Sequence, residues 1–511
     1  MLYQEILSNM IREAIERAQQ AGDLPAFEVP EVSVQPPRRA EFGDLATSVC
    51  MQMARPARMA PLRIAQIVAR HIDTHDMVGS VEVAPPGFLN VTFSPAWLAR
   101  QVETINVAGD AWGRVDAGHG KRVQVDYGSA NPTGPLHVGF GRNVVLGDGI
   151  ANVLAAAGYD VQREYYINDA GTQVAMLGQS MYARYAEILG REVEFPEEGY
   201  RGEYVIEWAR QVAEREGSRY LEVPPEQGAR LLGEIGLRFA LDSIREDCAR
   251  LRIAYDNWFS EASLYSGSTY ETALSILQQG GHLYEQDGAI WFRAIALGGD
   301  KDEVVVRSSG LPGYFASDIA YHYDKVALRG FEWVIDIWGA DHQGHVPRMY
   351  AMMRALGLNP DALTLLLYQM VTIIQGGENV VLSKRLGNLV FLREILDDVG
   401  PDATRFFLLQ RSADSQMDFD VDLAKKQSDE NPVYYVQYAH ARIASVLRTA
   451  EERGWADWSS GNVALLQHPK ELELIRKMLQ LPEVVNRAAA ELAPHHLCYY
   501  ALELASVFHA F

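Results

Sequence analysis

A histidine in a loop of small residues, 126–142 (DYGSANPTGPLHVGFGR), is the first place in this 511-residue chain where residue type and spacing suit chemistry. His137 stands where the loop meets an apolar, helix-like run. A helix start presents free backbone N–H groups and the positive end of a dipole, so an anion is favoured there. The imidazole can add a donor to a phosphate oxygen, and Gly134, Gly139 and Gly141 allow close approach to the backbone. The loop lacks the Gly-Lys-Ser/Thr ending of a Walker A loop and is not a dinucleotide fingerprint. Standing alone it reads equally as a Pro/Gly turn. A second candidate is the loop 381–388 (VLSKRLGN), with Gly376, Gly377 and Gly387 around it. It can carry Lys384 to a triphosphate and spread charge as pyrophosphate leaves; the plain alternative is a solvated basic turn. A third is 338–345 (WGADHQGH), where Asp341, His342 and His345 offer a metal site. One short span without cysteine or HExxH spacing is a poor metal site, and no structural metal is expected.

These residues need a frame. Residues 122–127 (RVQVDY) alternate as a half-buried strand does, and 161–167 (VQREYYI) read as another. Between them a helix-like run stops at Gly158, a residue suited to a C-cap. From Lys121 to about Asp402 strands alternate with helices, the pattern of a parallel sheet with crossover helices. The charged stretch 191–227 reads as an insertion with its own helices. Residues 1–110 look like a separate α+β unit, in which 41–55 read as a turn into a helix and 81–94 as strand, turn, strand. Beyond Asn431 the pattern is helical, including one run over 471–492, as in a bundle.

Hydrophobic content of 48% is ordinary for a soluble globular protein, and the length allows three or four domains. No apolar run approaches the ~20 residues of a membrane span, and the first 22 residues lack the build of a signal peptide. Cys50, Cys248 and Cys498 are far apart and read as reduced thiols of a cytoplasmic protein. The net charge of −21 argues against indiscriminate nucleic-acid binding and against DNA as a partner, although a local basic strip suffices for RNA phosphates.

PTGPLHVGFGR resembles the "HIGH" signature of class I aminoacyl-tRNA synthetases, and SANPTGPLHVG is the form typical of the arginyl-tRNA synthetases. VLSKRLGN resembles the "KMSKS" loop of that class, about 245 residues later. GDLAT and APPGFLN resemble the family's N-terminal domain, which holds the tRNA elbow; NPVYYVQYAHAR resembles its anticodon-binding domain. The chain departs from the family at Phe140, where a second histidine is usual, at Val381, at Pro85 and at Asp126, where Glu is usual.

The resemblance implies a multidomain α/β protein: an N-terminal α+β tRNA-binding domain (1–112), a Rossmann-like catalytic core (113–402, with an insertion near 190–230), a connector (403–430) and an all-α anticodon-binding bundle (431–511) lacking its last helices. It implies His137 and Lys384 as catalytic residues. ATP would meet Pro135, His137, Gly139, Phe140, Gly141, Asp341, His342, Ser383 and Lys384. Arginine would meet Asp126, Ser129, Asn131, His137, Tyr314, Asp318 and Gln343. Tyr314 and Asp318 would grip the guanidinium, a planar cation with five donors, and Asp126 and Asn131 the α-amino end. A helix N-cap is the plain alternative for Asp318. Tyr435, Tyr438 and Arg442 would contact tRNA, the alternative being an aromatic core stripe. The implied activity is formation of arginyl-adenylate from L-arginine and ATP with Mg2+, then transfer to the terminal adenosine of tRNA(Arg), by a cytoplasmic monomer. A catalytically weakened or truncated tRNA-binding paralogue is the alternative, motivated by Phe140 and the end at Phe511.

Overall fold

Val123 and Val125 alternate with Gln124 and Asp126, yet all four are buried. They belong to β1 (Arg122–Asp126), the central strand of a parallel sheet with β2 (Asp160–Ile167), β3 (Asn257–Ser260), β4 (Trp333–Gly339) and β5 (Leu363–Tyr368). Among the described residues this sheet has five strands in the order β5-β4-β1-β2-β3. The alternation had read as half-buried; the polar face is covered as well, by charged side chains of a helix described below. The computed structural model describes residues 3–380, 390–455 and 461–511, so Ser383 and Lys384 lie outside the described residues.

The chain runs outward from β1 to β3, returns, and continues through β4 to β5 on the other side. Strand order therefore reverses between β1 and β4, where open α/β sheets bind ligands beyond the strand carboxyl ends. Helix α1 (Val138–Ala156) follows β1 and is buried on nearly every side, as an apolar core helix should be. Gly147 lets the Tyr127 ring lie against it: a Cβ there would stand 2.1 Å from Tyr127 Cγ. Asn143 accepts the Gly128 N–H at 2.6 Å and donates to the Ile337 carbonyl at 2.9 Å, which ties the loop after β1 to β4. Gly158, at φ +86°, ends the turn after α1 as the sequence predicts.

Between β2 and β3 lie the helices Thr172–Ile188, Glu203–Glu216 and Pro225–Arg250, packed around Tyr185, Trp208 and Leu232. Between β3 and β4 a small antiparallel sheet precedes α2 (Tyr314–Tyr323), which runs into a π-helical turn, Asp324–Leu328. The N-cap of α2 is Gly313, so Asp318 sits inside the helix and is not its cap. The helix starts early because Gly313, without a side chain, packs on Val304, whose carbonyl oxygen would be 2.0 Å from a Cβ. These elements, Val115–Gln437 with Val485–Tyr499, form one compact unit.

A second unit comprises Met1–Arg114, Tyr438–Val484 and Tyr500–Phe511. Its antiparallel sheet orders Leu45–Thr47, Phe88–Phe93 and Val78–Ala84. Leu45–Thr47 is a strand that the sequence reading of 41–55 missed; pairing with Phe88–Phe93 creates it. Leu472, Ile475 and Leu479 join this core, and Arg476 Nε donates to Asp44 Oδ1 at 2.6 Å. The run read as one helix over 471–492 is two, Pro469–Leu479 and Leu481–Ala490. Pro482 supplies no N–H to continue the first. Cys50, Cys248 and Cys498 are buried and free. Among the described residues no helix is long and apolar enough to cross a membrane.

Gly147→Ala should destabilise the sheet unit by about 1–3 kcal/mol through overpacking against Tyr127, read as a lower urea midpoint. An unchanged midpoint would show that α1 shifts freely on β1.

Candidate functional site

The loop after β1 delivers His137 to the N-cap of α1 in an extended conformation. The Val138 N–H donates to the Val390 carbonyl at 3.1 Å and the Leu392 N–H to the Leu136 carbonyl at 2.8 Å. One first-turn donor that the sequence left free for an anion is thus engaged. The same clip fastens residues 390–392 beside His137. The His137 ring meets Phe140 edge-on at 4.7 Å. Gly139 lies under the same imidazole, where a Cβ would be 3.0 Å from Cε1, and Gly141 makes room for Leu392. Tyr204 donates to the Thr133 carbonyl at 3.0 Å and lies over Gly134, next to half-buried Pro135.

Ser129, in the left-handed region at φ +46°, turns the chain at the end of β1. Its hydroxyl donates to Asp126 Oδ1 at 2.9 Å and accepts the Tyr166 N–H at 3.0 Å. Asn131 is exposed and accepts from Asn168 at 3.3 Å. Asp169 accepts from the Ser260 hydroxyl at 2.5 Å and the Ala262 N–H at 2.9 Å, which fixes the ends of β2 and β3 together. Beyond β4, a short 3-10 turn, Ala340–His345, exposes Asp341, His342 and Gln343. Among the described residues no group of three or more His, Cys, Asp or Glu is placed to hold a metal ion.

Tyr314 opens α2 and is 84% exposed, with the Arg307 guanidinium 5.1 Å over its ring. Asp318, one turn further, is half-buried. Burial pushes its carboxyl up to about 6, against the pull of His322. Glu261, which sequence reasoning missed, is also raised, first by burial and then by Asp318 and Asp169, although the Tyr166 phenol bonds it. Two desolvated carboxylates within electrostatic reach of each other form a place where a cation relieves both burial and repulsion.

Behind α2 lies a row of acids that no sequence motif announced. Parallel register sets Asp336, Asp126 and Glu164 side by side on β4, β1 and β2. Lys325 Nζ bridges Asp336 Oδ1 at 2.8 Å and Asp126 Oδ2 at 2.9 Å. The Tyr321 hydroxyl lies 2.9 Å from Asp126 Oδ2 and 2.6 Å from Glu164 Oε1. Arg329 grips Glu164 with two bonds of 2.6 and 2.9 Å, and Gln124 and Asn257 each add one at 2.7 Å. Burial would raise all three acids. At Asp336 the Lys325 ammonium and His322 reverse that effect, and at Glu164 the Arg329 bonds do. At Asp126 burial wins over Lys325 and the carboxyl is raised. The Ser129 hydroxyl takes Asp126 Oδ1, and Lys325 and Tyr321 meet at Oδ2. Both Asp126 oxygens are therefore engaged inside the protein. The available signal was Asp336, a lone acid in the otherwise apolar strand β4, with Tyr321, Lys325 and Arg329 at helical spacing.

Tyr435 is half-buried in the sheet unit. In the second unit Tyr438 is half-exposed and stacks on His509 with centroids 5.5 Å apart, while exposed Arg442 reaches His509 Nδ1 at 2.8 Å.

Three family profiles match the chain: the class I (R) tRNA synthetase catalytic domain over residues 101–417, the arginyl tRNA synthetase N terminal domain over 5–93, and the DALR anticodon binding domain over 436–511. The chain is 50% identical to an arginine–tRNA ligase of Dehalococcoides mccartyi, over 99% of this chain and 91% of that protein. A crystal structure described as a putative arginyl tRNA synthetase of Campylobacter jejuni is similar at 32% identity and TM-score 0.75, over 82% of this chain and 91% of the other. The Thermus thermophilus arginyl-tRNA synthetase shares the fold at TM-score 0.73 and 23% identity, over 99% of this chain and 91% of that one.

Proposed function

The chain belongs to the arginyl-tRNA synthetases, class I ligases that use ATP, and on that premise we propose how its residues carry the reaction. The observation that carries the reading is the pair of desolvated carboxylates, Asp318 and Glu261, at the carboxyl edge of a sheet whose central loop presents His137.

Arginine lies with its guanidinium on Asp318 and under Tyr314, and with its α-amino end near Asn131, Ser129 and Gln343. Asp126 supports that end from behind, through Ser129. ATP lies along Pro135, Gly139, Phe140 and Gly141, with Asp341 and His342 closing over it and Ser383 and Lys384 reaching its phosphates. The arginine carboxylate attacks the α-phosphorus in line, and pyrophosphate leaves. His137 donates to the charge growing on the phosphate oxygens, and Lys384 follows the leaving group. Phe140 packs the His137 ring in place. The arginyl carbonyl then passes to the terminal adenosine of tRNA(Arg), at the 2′-hydroxyl. Tyr435, Tyr438 and Arg442 serve the tRNA. Mg2+ would arrive with ATP and offset the charge of its phosphates; among the described residues no cluster of acids is placed to cage it. A cytoplasmic monomer suits this role.

Arginine-dependent exchange between ATP and pyrophosphate tests the reading. Exchange is expected when tRNA is present; none in any condition, with tRNA still bound, would favour a binding protein of synthetase descent. His137→Ala should lower kcat roughly 10²–10³-fold, as loss of one donor to a developing charge does, and a loss under about threefold would remove His137 from the chemistry. The guanidinium needs ionised Asp318, which in the empty site takes up its proton near pH 6. As pH falls below that value, kcat/KM for arginine should drop about tenfold per unit. Bound arginine holds the carboxylate ionised, so kcat should fall only at lower pH. A flat kcat/KM profile would take recognition away from Asp318.

A further inference from the structure

The guanidinium-reading groups ride on α2, whose first turn is held by packing, Gly313 on Val304 and the Phe315 ring on Phe292. The hydrogen bonds that tie the helix to the parallel sheet come from the far end. Lys325, in the π-helical turn, is fully buried and its ammonium joins Asp336 on β4 to Asp126 on β1. Tyr321, also buried, joins Asp126 to Glu164 on β2, and the Lys325 ammonium stands 3.9 Å from its ring centroid. His322 links this row to the Asp318 turn: its Nδ1 is 2.8 Å from the Asp318 carbonyl and its Nε2 2.8 Å from Asp336 Oδ2. A shift of α2 along the sheet would break several of these bonds at once and leave buried carboxylates without partners, a large penalty.

We infer that Lys325 and Tyr321 are positioning residues for arginine, clamping α2 to β4, β1 and β2 so that Asp318 and Tyr314 meet the guanidinium. This rests on the reading of Asp318 and Tyr314 as the guanidinium site. The clamp touches neither substrate. Asp126 also ties to Ser129 and the loop after β1, so the same row sets the two ends of the arginine site relative to each other. ATP, by contrast, is held mainly by the first turn of α1 and the chain beyond β4.

The test compares Tyr321→Phe, Lys325→Met and the benchmark Asp318→Asn in aminoacylation of tRNA, with KM for arginine and for ATP and the melting temperature of each. Tyr321→Phe removes one hydroxyl and keeps the ring. It should raise the arginine KM about tenfold, as small misplacements of binding groups do, with the ATP KM within about twofold. Lys325→Met should raise the arginine KM at least as far. A merely structural role predicts a lower melting temperature with both KM values unchanged or moved together, and either result in Tyr321→Phe overturns the inference. If Lys325→Met does not fold, Tyr321→Phe alone decides. If Asp318→Asn leaves the arginine KM unchanged, the guanidinium reading itself fails; if it raises that KM while Tyr321→Phe does not, only the clamp fails.

Discussion

Three carboxylates in register on the covered face of a parallel sheet cannot stand without cations. Removing even one acid from water costs several kcal/mol, and mutual repulsion adds to it. Asp336, Asp126 and Glu164 are 2%, 8% and 0% exposed, so the compensation has to come from protein. It comes from one stretch of helix, through Tyr321, His322, Lys325 and Arg329. The π-helical turn at Asp324–Leu328 lies within this stretch; such turns are common where function overrides regular geometry.

An ion row of this kind contributes position more than stability. Replacing a buried pair with apolar groups is often neutral, whereas removing one partner costs about 3–5 kcal/mol. Apolar contacts between α2 and the sheet would allow sliding; saturated hydrogen bonds to Glu164 and bridged bonds to Asp126 define one register. The front of the same helix then carries Asp318 at a fixed depth, where partial burial makes it a strong partner for a cation. The loop side is fixed by similar means. Asn143 joins it to β4 and the clip of Leu136 and Val138 on residues 390–392 joins it to the chain after the second signature.

Local features of this architecture were legible in the sequence. The strand, Pro/Gly loop, helix and strand around His137 follow from periodicity and from Gly158, and the helical character beyond Asn431 follows likewise. What was not legible depended on partners distant in sequence. A helix N-cap stood as the alternative for Asp318 because the packing of Gly313 on Val304 is invisible in sequence. Leu45–Thr47 became a strand only through Phe88–Phe93. The strand 122–127 read as half-buried because Tyr321 and Lys325, which reach Asp126, lie about 200 residues away in sequence. Glu261 carried no motif and gained its character from burial beside Asp318.

The central claim is that the helix anchored by the acid row presents Asp318 to a guanidinium across the sheet edge from His137. The most direct measurement is a crystal structure with a non-hydrolysable arginyl-adenylate analogue. The account predicts the guanidinium on the Asp318 carboxylate with Tyr314 over it, the phosphate at the first turn of α1 beside His137, and the Lys325 bridge unbroken. A guanidinium bound away from Asp318, or an α2 that leaves Asp126 and Glu164 to reach the ligand, would contradict it.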